Sequence, residues 1–146
     1  MSQKNLVSNF ISADDEMLVF LSNFSNKWCT SNDGAKFIEQ NFTFIGSKPV
    51  LQNLKGYKTA EYKNFADIKN FLSSNPSIKS KILSSEISYI GDNSTNIEIK
   101  FAPEYFYDFL KFIVENIPEH HYFCGPKEGW ILFIAMEGYV EFGLLH

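Results

Sequence analysis

Seven consecutive apolar residues, Trp130 to Met136, constrain this chain more than any other stretch. The run has the length of a strand and is far too short to cross a bilayer. Glu137 and Gly138 interrupt it, and Gly138 is able to take the positive φ that a tight reversal needs. Tyr139, Val140, Glu141 and Phe142 then mix aromatic and β-branched residues with one charge. The pattern predicts a hairpin over Trp130 to Leu145. Its first strand has no polar face, so it belongs inside a sheet covered on both sides.

Upstream the period changes. Ser12 is placed to cap a helix whose first turn holds Asp14, Asp15 and Glu16, where the helix dipole favours negative charge. Met17, Phe20, Leu21, Phe24 and Trp28 continue as one stripe, predicting a helix from Ala13 to Trp28. Thr30 to Gly34 reads as a turn, Ala35 to Gln40 as a short helix and Phe42 to Ile45 as extended, while Val50 to Tyr57 is ambiguous. A second helix is expected to open at Thr59 or Ala60, burying Tyr62, Phe65, Ile68 and Leu72. Pro76 suits the first position of a short helix carrying Ile78, Ile82 and Leu83.

From Glu86 the pattern is of strands. Ile87 to Ile90 leads through a polar turn at 91–95 into Ile97 to Phe101, which alternates apolar and charged residues and predicts one wet face. Pro103 opens a helix with Phe106, Phe109, Leu110, Ile113 and Ile117 inside, and Glu104, Asp108, Lys111 and Glu115 outside. Tyr122 to Cys124 is a short strand before the final hairpin. The C-terminal half reads β-β-α-β-β-β. With no repeat and no low-complexity linker, residues 1–146 are expected to form a single α+β domain, a largely antiparallel sheet packed with N-terminal and internal helices.

Charge narrows the function. All thirteen basic residues are Lys, so the bidentate fork that reads bases and grips phosphates is missing. Residues 1–83 carry ten Lys and seven acids, a net of +3, and residues 84–146 carry three Lys and ten acids, a net of −7. An acidic half serves first to keep a protein soluble; it is also unattractive to nucleic acid and suited to a basic partner. Without a membrane-length apolar run or a signal-peptide pattern, the expected location is the cytoplasm, with Cys29 and Cys124 as buried reduced thiols.

No strong catalytic signature is present. Glu119, His120, His121 and Cys124 hold zinc-ligand and nucleophile chemistry. Neighbours at a strand start point to opposite faces, however, so His120 and His121 are not expected to converge. Pro118 to His121 reads as a water-exposed corner. Glu137 and Glu141 offer paired carboxylates, read first as surface charges. Tyr105, Tyr122 and Trp130 are expected mostly in the core, and Tyr107 on the surface. These residues imply no catalytic group, cofactor or metal.

The segment His121-Tyr122-Phe123, then Trp130 after a polar turn, then Met136 to Gly143, resembles the closing strands of small bacterial immunity proteins. These are the cognate inhibitors of contact-dependent growth inhibition and related polymorphic toxins. The resemblance covers about the last quarter of the chain and implies a protein that binds and neutralises a toxin, often a nuclease. An acidic partner surface is then expected from Glu104, Asp108, Glu115, Glu137 and Glu141, with Tyr107 and Tyr139 as anchors. The alternative is a small ligand-binding or enzyme domain with a pocket between sheet and helices near Cys124 or His121. A third reading is a structural subunit of a larger complex, which predicts a broad apolar patch.

Overall fold

The computed structural model describes residues 12–92 and 97–146. The Ser12 hydroxyl accepts the Asp15 N–H at 3.1 Å, and Asp14, Asp15 and Glu16 fill the first turn of α1 (Ala13–Leu21). This helix is shorter than its apolar stripe. A 3-10 turn over Ser22–Phe24 follows, and Ser25, at φ +54°, breaks the helical path. Trp28 therefore opens β1 (Trp28–Thr30) and does not end a helix. Next come α2 (Asp33–Asn41) and the two-stranded ribbon β2 (Phe44–Ile45) and β3 (Lys48–Pro49).

The second helix also starts later than its sequence predicts. Thr59 and Ala60 lie in β4 (Lys55–Glu61), paired with Glu141 and Val140. The helix α3 (Phe65–Ser73) begins after Asn64, whose side chain accepts the Asp67 N–H at 3.1 Å. As expected, Pro76 opens α4 (Pro76–Ile82). The remaining elements are β5 (Ile87–Gly91), β6 (Ile99–Phe101), a 3-10 turn at Pro103–Tyr105, α5 (Phe106–Asn116), β7 (His121–Gly125), β8 (Trp130–Ala135) and β9 (Tyr139–Leu144). The expected polar turn at 91–95 falls largely outside the described residues.

Seven strands form one antiparallel sheet in the order β1-β6-β5-β7-β8-β9-β4. The fold is α+β, and its C-terminal half follows the predicted β-β-α-β-β-β order. Strand β8 sits between β7 and β9 and is buried throughout. Trp130, Leu132 and Ile134 pack with apolar residues of α1, α3, α4 and α5. Ile131, Phe133 and Ala135 pack instead with Ile38 of α2, Phe42 and Leu51. The apolar run needs no polar face because helical or loop layers cover both sides. Gly138 reverses the chain at φ +103°, as the hairpin requires.

Phe109 of α5 holds the larger core together. The rings of Tyr89, Phe101, Phe123 and Phe24 surround it at centroid distances of 4.9, 5.1, 6.1 and 6.4 Å. On the other face, α2 is pressed against the sheet. A Cβ on Gly34 would lie 2.7 Å from the Cβ of Ser88. The α2 N-terminus has no side-chain cap from Asn32. Glu98 supplies one from a distance, its carboxylate accepting the Gly34 and Ala35 N–H groups at 2.8 and 3.2 Å. Burial still pushes the Glu98 carboxyl above its ordinary value, against the pull of those two bonds.

The charged face predicted as wet at 97–101 is thus partly covered by α2. Lys100 there reaches Asp33 at 3.3 Å and Glu86 at 4.0 Å. The cysteines divide: Cys124 is buried, but Cys29 is exposed, because β1 is an edge strand paired on one side only. No helix among the described residues is long and apolar enough to cross a membrane.

Candidate protein-binding surface

Two stacked aromatic pairs join α1 and the 3-10 turn after it to α5 and the 3-10 turn before it. Phe20 stacks on Phe112 with centroids 4.3 Å apart and planes 8° apart, and Phe24 stacks on Tyr105 at 4.3 Å and 14°. Phe24 is buried, while Phe20, Tyr105 and Phe112 are half-buried. Their outer surfaces line a groove of about 490 Å³ whose rim carries Asn23, Asp108, Lys111, Glu115 and Asn116. A second depression continues past Phe20 and Phe112 to Val19 and Glu16. Val19 is 71% exposed and Leu18 lies beside it.

The charges on this face are uncommitted. Asp15, Glu16, Asp108 and Glu115 take part in none of the ion pairs among the described residues. Apolar surface at the centre with unpaired carboxylates around it is the composition of a protein-docking patch. Asp108 and Glu115 are the sequence-predicted residues that fall here. Val19 and Phe112 complete the patch and were not singled out from the sequence, which reads Phe20 as part of a buried stripe and Glu16 as a first-turn acid. The available signal was that Leu18, Val19 and Phe112 are apolar yet lie off the buried stripes of their helices.

The other predicted contact residues lie elsewhere. Glu104 stands at the start of α5 but is paired with Lys27 at 3.1 Å. Tyr107 is half-buried on another flank, with the Lys69 ammonium 5.6 Å above its ring. Tyr139 packs with the core on the opposite side of the sheet. Around it, Glu137 is bonded to Lys48 and lies 3.6 Å from His120 Nε2, and Glu141 accepts the Tyr57 hydroxyl. Lys48 holds the Glu137 carboxyl below its ordinary value. The structure therefore brings only Asp108 and Glu115 of the seven expected residues together in the groove, and the carboxylates of the closing hairpin already have partners within the chain.

The Glu119–His121 corner is buried, contrary to the exposed corner expected. Glu119 accepts the Asp92 N–H at 2.9 Å. His121 is wedged between the Tyr89 hydroxyl, 2.7 Å from Nδ1, and the Ile117 carbonyl, 2.9 Å from Nε2. His120 turns to the other face, against the Phe133 ring, and accepts the Met136 N–H at 3.0 Å. The two imidazoles do not converge, as the strand geometry predicts. Burial pushes the Cys124 thiol up, the wrong direction for a nucleophile. Among the described residues no group of three or more His, Cys, Asp or Glu is placed to hold a metal.

A cleft of about 270 Å³ lies between α2, β2 and the sheet, lined by Ala35, Ile38, Glu39, Phe44, Ile90 and Tyr122. It lies between helix and sheet, where the ligand-binding alternative expects a pocket, but neither Cys124 nor His121 lines it. Its polar equipment does not match that alternative either: the Tyr122 hydroxyl is bonded to the Ser47 carbonyl. Among the described residues the buried side-chain donor lacking a partner is Trp130 Nε1, which belongs to the other core. Ligand sites fix orientation with convergent buried polar groups, whereas here Glu39 is exposed and Tyr122 is already bonded.

Compared with protein-family models, with curated proteins and with solved structures, the chain matches none.

Proposed function

We propose that this protein is an immunity protein, which binds a cognate bacterial toxin in the cytoplasm and neutralises it. The toxin class favoured by the charge is a nuclease, because a cleft that holds nucleic acid is basic. The observation that carries the reading is the α1–α5 face, with its aromatic groove, exposed Val19 and unpaired Glu16, Asp108 and Glu115. Such a face steers a basic partner electrostatically and offers apolar anchors to hold it. The sequence resemblance of the closing strands supports the same class. The buried His121, bonded at both ring nitrogens, and the raised Cys124 thiol weigh against catalysis.

The test is neutralisation. The tagged full chain is used to recover a stoichiometric partner from its host, and the recovered domain is expressed alone and with this chain. Growth arrest by the domain alone, relieved by co-expression, is the expected result. Val19→Asp, at an exposed site, should abolish the relief while leaving the melting temperature within about 2 °C. A recovered partner whose activity is unchanged by a stoichiometric amount of this chain would overturn the proposal.

A further inference from the structure

The α1–α5 groove shows a bias in its polar rim. Asn23 Nδ2 donates to the Phe20 carbonyl at 3.0 Å, and Asn116 Nδ2 donates to the Phe112 carbonyl at 2.9 Å. Each amide thereby spends one N–H on the backbone just before it, and the amides leave the charge of the rim to its ionic groups. The charged groups of the rim are then the unpaired carboxylates of Asp108 and Glu115 against one cation, Lys111. Glu16 in the adjoining depression keeps the balance negative. The walls are the half-buried rings of Phe20, Tyr105 and Phe112.

We infer that this groove receives an arginine side chain carried by the partner. The inference rests on the reading of this face as the partner surface. A guanidinium is donor-only, planar and weakly hydrated; it stacks on aromatic surface while forming parallel bonds to a carboxylate. Carboxylates beside aromatic walls match each of those properties. A lysine ammonium matches the charge alone, being a strongly hydrated point charge. The chain itself contains no arginine, so neither an internal residue nor a second copy of this chain supplies the guanidinium. The occupant comes from a different molecule.

The experiment uses the isotope-labelled full chain, titrated with hexa-arginine and with hexalysine peptides at the same ionic strength. The arginine peptide should shift the resonances of Phe20, Asn23, Asp108, Phe112 and Glu115. It should also bind at least about fivefold more tightly than the lysine peptide. Asp108→Asn with Glu115→Gln changes exposed, unpaired groups, and an otherwise unchanged spectrum confirms the fold. This pair should weaken the arginine peptide about tenfold. Equal affinity for the two peptides, shifts outside the groove, or an unaffected double variant would each overturn the inference. A toxin neutralised equally by wild type and double variant would remove the arginine and leave the neutralisation. Groove binding of the arginine peptide beside a failed neutralisation test would do the reverse.

Discussion

His121 illustrates how far a single residue's chemistry is decided by what surrounds it. Its Nε2 faces a carbonyl, which only accepts, so Nε2 carries the proton and Nδ1 accepts from the Tyr89 hydroxyl. The ring is neutral, and burial lowers its pKa from 6.5 to about 4. Because the native value lies below the unfolded one, the unfolded chain takes up the proton first as pH falls. The stability from this residue is complete above about pH 6.5 and is lost progressively down to about pH 4. At about 1.4 kcal/mol per pH decade the loss is on the order of 3 kcal/mol. Urea unfolding between pH 7 and pH 4.5 should show this acid sensitivity, and His121→Gln should flatten it while lowering the stability at pH 7. Equal slopes for wild type and variant would refute the assignment. From the sequence, the opposed faces of His120 and His121 were legible. Their burial was not, because it depends on Tyr89, Phe133 and the Asp92 amide, which other strands and loops bring in.

At the scale of elements, amphipathic pieces were legible and remotely supported ones were not. The stripe of α5 and the apolar run of β8 state their own environment. The limits of α2 and the existence of β4 do not. The cap of α2 comes from Glu98, a residue 64 positions away from Gly34. Strand β4 is an edge strand with mostly exposed residues, so it lacks the alternation that marks a half-buried strand. The dependence of α2 on outside support is testable. Gly34→Ala places a methyl group against the Ser88 Cβ, which is fixed by the sheet, and should destabilise by about 1–3 kcal/mol. Glu98→Ala removes the acceptor of two N–H groups and should cost about 1–2 kcal/mol. Thermal melts of both variants check the order of magnitude, and a neutral Gly34→Ala would contradict the close approach of α2.

At the scale of the whole molecule, folding rearranges the charge that the sequence lays out in two halves. Glu16, from the net-positive half, is brought next to the groove of Asp108 and Glu115, while Lys48 from that same half neutralises Glu137. The linear asymmetry does not locate these acids; their grouping follows from packing α1 against α5. Association with a basic partner should therefore slow about tenfold between low and high ionic strength. In Glu16→Lys, Asp108→Lys and Glu115→Lys combined, that salt dependence should vanish or reverse. Stopped-flow association rates with the captured toxin domain decide it; an unchanged slope would place the contact on another face. The sheet order has a separate consequence for biosynthesis. Strand β4 has one sheet neighbour, β9, and the intervening residues span more than half of the chain. On the ribosome, β4 waits with its backbone amides unpaired until β9 has emerged, and long-range pairings of this kind form slowly. Lys55 and Lys58 place charge on that waiting edge, which disfavours its pairing with a neighbouring nascent chain.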